Sequence, residues 1–360
     1  MRILCLTSGP HVPSTRFRVL QYLGALRRDG HAAHVSHSFP AKYEQLRCLG
    51  WRGSELLRRW MRRLDLLRAR YGRFDSVLIE RQLFTDDWLG IERRLRRVAK
   101  RLVLDVDDAV FLDHEAKFRE LFALCDEVIA GNDLLRQRVL QDRDSCVVVP
   151  TCVDLGRYQR PAATASRDQD AGRPVVIGWT GTSSNLVSLE RVRPVLAELS
   201  RRYAWVFRVI ADRFPESDRW RSSGIPVEFR PWRPETEIDD LMEIDIGLMP
   251  LHDDRWNRYK CGFKLIQYMA LGIPAVASPV GINPSLLVGN GPTANGQAGL
   301  LAESEAEWAD ALEKLLSDRA SWAVLGQAGR ARVEREYSIQ ARYPQWLAAV
   351  TGESDAPSAG

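Results

Sequence analysis

At the ~150 residues that a typical domain occupies, 360 residues make about two domains, and a chain this long buries a sizeable core without disulfide or metal staples. Hydrophobic residues form 45% of it and charged residues 27%, and no apolar run approaches the ~18–20 residues that cross a bilayer, which excludes a small stapled fold and a membrane-spanning chain. The formal charge of +4 hides an asymmetry, because Arg47 to Arg101 holds 16 Arg plus Lys against 7 Asp plus Glu, so the rest of the chain is net acidic.

The opening Met1-Arg2-Ile3-Leu4-Cys5-Leu6-Thr7 lacks a basic region, a long apolar stretch and a small-residue cleavage site, and reads as a first strand rather than a signal peptide. Short apolar runs at 2–8, 33–38, 76–80, 102–106, 127–130 and 146–150 then alternate with helical segments near 15–28, 51–72, 86–99, 115–124 and 132–141. This alternation predicts βαβ units around a parallel sheet. Residues 161–174, rich in Ala, Pro, Gly and charge, read as a linker. A second series follows, with strands at 175–179, 206–211, 227–230, 244–249 and 275–278 and helices near 186–202, 235–243, 262–271, 305–317 and 319–335. The expected organisation is an α/β chain of two Rossmann-like domains with a cleft between them. The first covers 1–160 and is joined by a last helix at 338–351, the second covers 175–337, and 352–360 form a disordered tail. The six cysteines show no C-x-x-C pair, the pattern of reduced thiols in a cytoplasmic protein, and predict neither disulfides nor zinc.

Residues 51–73 sort at helical period into an arc of Leu56, Leu57, Trp60, Met61, Leu64, Leu67 and Tyr71 opposite Arg58, Arg59, Arg62, Arg63 and Arg70. The plain expectation is a helix that packs the apolar arc on a sheet and solvates the arginines. The sharper one is a basic face on anionic lipid. Nucleic acid ranks last, because the aromatics form no stacking platform and the overall charge is modest.

Ligands of open α/β sheets bind beyond the carboxyl ends of the strands. After the strand at 175–179, Gly181-Thr182-Ser183-Ser184-Asn185 is a small hydroxyl-rich turn into a helix, suited to phosphate or to plain capping, and it is not a P-loop. The densest signal is the stretch Asn257 to Gly281: a cationic loop, a helix opening near Gly262, a stop at Gly272, then a strand. Two of the chain's six lysines, Lys260 and Lys264, stand here four apart, a spacing that puts both on one face of a helix start. Like charges at that end oppose each other and the helix dipole, a conflict that a bound diphosphate relieves.

The stretch Lys260–Gly281 resembles the signature of the family-4 glycosyltransferases, retaining enzymes of the GT-B architecture that take a sugar from a nucleotide donor. Val149-Pro150-Thr151-Cys152-Val153-Asp154 is similar to the family's IPNGVD segment, and Asp245-Ile246-Gly247-Leu248-Met249-Pro250-Leu251 to its ADVFVLPS segment. The turn Ser8-Gly9-Pro10 with Ser14-Thr15-Arg16-Phe17-Arg18 resembles a subset of the family. The resemblance implies transfer from a nucleoside-diphosphate sugar to a glycan, lipid-linked or small-molecule hydroxyl, with retention and without a metal or cofactor. The second domain would bind the donor and the first the acceptor. The family's two glutamates, eight apart, fall on Tyr259 and Gln267, and its phosphate-binding Arg and Lys pair falls in Thr182–Asn185. Lys260 and Lys264, with Arg258, are therefore expected to neutralise the diphosphate, with Cys261, Gly262 and Phe263 beside them. Asp212, Arg230 and Trp232 are expected to frame the nucleobase.

In the first domain, Asp105, Asp107 and Asp108 end a strand. Alone, D-x-D suggests a metal site or the aspartyl nucleophile of a haloacid-dehalogenase-type hydrolase, but no later constellation completes either. The resemblance puts Asp107 where similar transferases often have a histidine. Glu80, Arg81 and Asp108, with Arg16 and Arg18, are expected on the acceptor side, one carboxylate capping a helix instead, and His11 is expected to be idle. The runner-up is a family member that has lost its glutamates and only binds a nucleotide sugar, as a subunit supporting an active partner. The expected location is cytoplasmic, on or near the inner face of a membrane.

Overall fold

The computed structural model describes residues 1–159, 173–288 and 296–353. The chain divides into two compact units. The first comprises Met1–Cys152, Tyr259–Cys261 and the chain from Ile339, and the second Val153–Arg258 and Gly262–Ser338. Most of the expected linker, 161–172, and the tail beyond 353 lie outside the described residues.

In the first unit, β1 (Arg2–Thr7), β2 (Ala32–His37), β3 (Ser76–Glu80), β4 (Leu102–Val106), β5 (Glu127–Ala130) and β6 (Val147–Val148) form one sheet in the order β2-β1-β3-β4-β5-β6. Every pairing is parallel, with Ile3 opposite both Ala33 and Ser76 and Val77 opposite Leu102. The five residues of β3 and of β4 are all buried, as in a sheet covered on both faces, whose strands read as continuous rather than alternating apolar runs. The order reverses between β1 and β3, which makes their carboxyl ends the unit's topological switch point. The helix Ile339–Thr351 belongs to this unit, where Trp346 stacks on Tyr22 at 4.5 Å and Arg101 donates to the Ala349 carbonyl at 2.9 Å.

In the second unit, β7 (Val175–Thr180), β8 (Trp205–Ala211), β9 (Val227–Pro231), β10 (Ile246–Met249), β11 (Ala275–Ala277) and β12 (Gly299–Leu301) run parallel in the order β12-β11-β10-β7-β8-β9. Its switch point lies between β7 and β10. The strand β12 and the helices Ser217–Ser222 and Asn283–Leu287 go beyond the sequence expectation. The helix expected at 186–202 divides into a 3-10 stretch, Ser183–Arg191, and the α-helix Arg193–Leu199, which Pro194 opens from the position where its missing N–H costs nothing. The first unit ends eight residues before position 160. Val153 bridges to Ser338 and donates to the Tyr337 carbonyl at 3.0 Å, and Arg330 holds the Tyr158 carbonyl, so 153–159 packs with the second unit.

The helix Gly50–Tyr71 reverses the plain expectation. Its buried residues are Ser54, Arg58, Arg62, Asp65 and Ala69, while Leu56, Trp60, Leu67 and Tyr71 are exposed. Hydrogen bonds dock it: Arg62 donates to the Thr7 carbonyl at 2.6 Å and the Ser36 carbonyl at 3.1 Å, and Arg58 to the Glu44 carbonyl at 2.8 Å.

Arg18 and Asp105 pair with no solvent exposure. The guanidinium donates to both carboxylate oxygens at 2.8 Å and to the Val149 carbonyl at 2.7 Å, tying the first helix to the ends of β4 and β6. Removing one partner of such a pair leaves a buried charge uncompensated, whereas replacing both by apolar groups costs far less. Arg18→Met is expected to lose about 3–5 kcal/mol, and Arg18→Met with Asp105→Leu to recover most of it, as read by denaturant unfolding.

Candidate active site

At the switch point of the second unit, Gly181 follows β7 and donates its N–H to the Ile210 carbonyl at 3.0 Å. Asp212, just past β8, then holds the turn, accepting from the Ser183 N–H at 2.6 Å and hydroxyl at 2.8 Å. The Thr182 hydroxyl lies 2.9 Å from that of Ser184. The helix Phe263–Ala270 comes to the same place. It opens after Gly262, whose left-handed φ of 61° and 2.2 Å from an added β-carbon to Leu286 leave room for glycine alone. Lys264, in its first turn, fills the space a side chain at 181 would need: its Cε lies 2.9 Å from a β-carbon built there, and its Nζ sits 5.3 Å from the centre of the Trp179 ring.

Other expected donor residues are engaged differently. Lys260 does not share a helix face with Lys264, because the left-handed Gly262 separates it from the helix, and 259–261 belong to the first unit. Arg258 reaches Asp253 with two bonds of 2.6 and 2.9 Å. Gln267 is buried and donates to the Tyr158 hydroxyl at 2.8 Å. Arg230 lies in the edge strand β9, bonded to Glu228 at 2.6 Å, and Trp232 donates to Glu237 at 3.3 Å. Asp212, which holds the turn through Ser183, and Arg230 keep about half of their side chains exposed at the ends of β8 and β9.

In the first unit, the carboxyl ends of β1, β3 and β4 carry a charged ladder. Glu80 is buried and accepts from the Ser8 N–H at 2.9 Å, the Ser8 hydroxyl at 3.2 Å, the Thr15 hydroxyl at 2.5 Å and the Ser14 hydroxyl. It organises the turn after β1 instead of lining an acceptor surface, and Arg18, spent on Asp105, is likewise internal. Arg16 is half-buried, its guanidinium 4.8 Å from the centre of the Phe17 ring, and His11 is exposed.

Arg81 takes a left-handed φ of 59°, rare for a residue with a side chain, and holds Asp107 through bonds of 2.5 and 3.1 Å with Asp108 3.6 Å away. Burial opposes the charge on Asp107, but Arg81 and, behind it, Arg18 more than offset this and hold the carboxyl below its ordinary range. On Asp108 burial prevails over Arg81, the Asp107 charge adds to it, and the carboxyl is pushed up. Two adjacent carboxyls with opposite shifts are suited to different roles, Asp107 as a fixed anion and Asp108 as the more readily protonated group.

The segment 259–261 closes this ladder. The Tyr259 ring meets Phe111 edge-on at 5.0 Å, its carbonyl accepts from Asn132 at 2.8 Å, and the Cys261 thiol donates to the Asp107 carbonyl at 3.2 Å. A β-carbon on Gly131 would lie 2.5 Å from that sulfur. Tyr259 and Cys261, expected at the donor, instead pack as anchors against β4 and β5. Sequence reasoning missed Asn132, although an Asn before Asp133-Leu134-Leu135 is a helix-cap pattern, and Asn132 does accept from the Leu135 N–H. It also missed Lys42 and Lys117, buried lysines that both hold Gln82 beside the ladder. Arg81→Gln removes the main group that keeps Asp107 ionised, so the Asp107 carboxyl is expected to titrate at higher pH, as followed by carbon NMR; an unmoved titration would contradict the pairing.

Residues 174–318 match the family described as glycosyl transferases group 1, and no curated protein sequence matches the chain. Among solved structures, HepE of Anabaena in complex with UDP is 15% identical with a TM-score of 0.65, covering 98% of this chain and 100% of its own. Sucrose-phosphate synthase from Thermosynechococcus elongatus is 17% identical at a TM-score of 0.69, covering 97% and 100%. WaaG, a glycosyltransferase involved in lipopolysaccharide biosynthesis, is 12% identical at 0.67, covering 98% and 100%. At these identities the likeness is one of fold: over nearly its whole length the chain has the two-sheet α/β fold of the GT-B glycosyltransferases, and 174–318 carry the group 1 glycosyl transferase match.

Proposed function

We propose that the chain is a retaining glycosyltransferase that moves a sugar from a nucleoside-diphosphate sugar to an acceptor hydroxyl on a glycan, a lipid-linked saccharide or a small molecule. The observation that carries this reading is Lys264 over the Gly181 turn, at the switch point of the segment that matches group 1 glycosyl transferases. HepE was crystallised with UDP-glucose, which makes a uridine donor the first to try here.

Departure of the nucleotide builds negative charge on the leaving diphosphate and positive character on the sugar ring. A preorganised lysine beside a glycine turn answers the first, because it stabilises that charge without reorganising at the moment of reaction. The Gly181 backbone lets phosphate approach where any larger residue would stand in the way. Lys260 is the further cation that the family resemblance implies for the diphosphate. Asp107, held anionic by Arg81, suits the second demand, as a fixed negative group toward an oxocarbenium-like sugar or as acceptor of a bond from its hydroxyls. With front-face departure and attack, the leaving phosphate itself takes the proton of the acceptor hydroxyl, so no separate base is required. Closure of the site around the donor would keep water from competing as acceptor.

A second reading, a nucleotide-sugar-binding subunit of an active partner, draws on Tyr259. Where the resemblance puts a glutamate at the donor sugar, this residue spends its ring on Phe111. Kinetics separate the two. For an enzyme, Lys264→Ala is expected to raise the donor KM and lower kcat, each on the order of tenfold, with a smaller effect of Lys260→Ala. Saturable UDP-sugar binding by calorimetry without transfer or hydrolysis supports the binder, and unchanged kinetics in both variants would contradict the assignment of the lysines.

A further inference from the structure

The helix Gly50–Tyr71 is held by its polar side and shows its apolar side. On the outward side Leu56 is 69% exposed, Trp60 53%, Leu67 52% and Tyr71 69%. They recur at i, i+4, i+11 and i+15, so they form one stripe along a helix about 33 Å long. Soluble surfaces rarely expose contiguous apolar stripes of this kind, whereas single exposed apolar residues are ordinary.

The charge beside the stripe has one sign. Arg52, Arg63 and Arg70 are exposed. The helix's two acids are used elsewhere: Glu55 pairs with Arg58 and Arg59, and the buried Asp65 with Arg62 and Arg68. From the helix itself the exposed face therefore offers apolar and aromatic groups with cations along one edge and no free carboxylate, and Asp86, an acid that reaches it from a neighbouring loop, is taken up by Arg59. A second copy of this chain would set arginine against arginine across a shared stripe, which disfavours self-pairing.

We infer that this face is a docking surface for an anionic lipid bilayer. The apolar stripe enters the boundary between headgroups and acyl chains, and the arginine edge meets lipid phosphates. Docking requires no rearrangement, because Arg62 on the inward side already fixes the helix to the carboxyl end of β1 through the Thr7 carbonyl at 2.6 Å. The surface stands on exposure and charge alone and holds whichever sugar chemistry the site performs.

The test is flotation of the full chain with vesicles of phosphatidylcholine and phosphatidylglycerol, against vesicles of phosphatidylcholine alone, at low and at raised salt. Binding is expected to the anionic vesicles only and to weaken with salt. Arg63→Gln with Arg70→Gln is expected to weaken partitioning about thirtyfold. Trp60→Gln with Leu67→Gln, at exposed positions, is expected to abolish it while leaving the melting temperature and donor binding unchanged. Three results would overturn the inference: no flotation of the parent chain with anionic vesicles, flotation of both variants like the parent, or a dimer in sedimentation equilibrium without lipid that Trp60→Gln with Leu67→Gln abolishes.

Discussion

The approach of Lys264 to the Gly181 turn is the contact on which the functional reading depends. Two elements far apart in sequence meet there, the end of β7 and the first turn of the helix Phe263–Ala270, and they meet closely because each side gives up a side chain. Gly181 leaves the space that the Lys264 Cε occupies, and Gly262 turns the chain in a left-handed conformation into the helix. The result places an ammonium at the positive end of a helix, where the dipole opposes it. An anion beyond the strand ends would offset that opposition, which is the physical reason for reading this place as a phosphate site.

The first unit satisfies its buried charges from within. Glu80 takes bonds from three residues that build the turn after β1, and Asp105 takes the whole guanidinium of Arg18. These two carboxylates at the ends of adjacent strands form a rigid base beneath Arg81 and Asp107, the groups of the ladder that retain some exposure. The left-handed Arg81 is a strained residue held where its fork meets Asp107, and strain of that kind persists only where surrounding contacts impose it.

The strands were legible in the sequence because parallel sheets covered on both faces leave continuous apolar runs, as in Ile3–Leu6 and Val77–Ile79. The Gly181 turn was legible through its small hydroxyl-rich residues before a helix, and the Gly262 helix start through the glycine that precedes an apolar run. The pairing of charges was not. Arg18, Glu80 and Arg81 are expected on the acceptor side, because strand-end position says where a residue stands but not whether a neighbour absorbs it. The Lys260–Lys264 spacing misled because the helix period holds only inside a helix, and Gly262 lies between them. The 50–71 helix buries Arg58 and Arg62 of its expected basic arc, while Arg63 and Arg70 stay exposed beside Leu56, Trp60, Leu67 and Tyr71. Periodicity separates the faces without stating which is buried, and here arginines reaching the carbonyls of Thr7, Ser36 and Glu44 outcompeted aliphatic packing.

A crystal structure of the chain soaked with UDP puts the diphosphate site to its most direct test. The phosphate oxygens are expected within hydrogen-bonding distance of Lys264 Nζ and of backbone N–H groups in the turn after Gly181. Phosphates bound elsewhere, with the lysine still resting over the Trp179 ring, would contradict the site and with it the role given to both lysines.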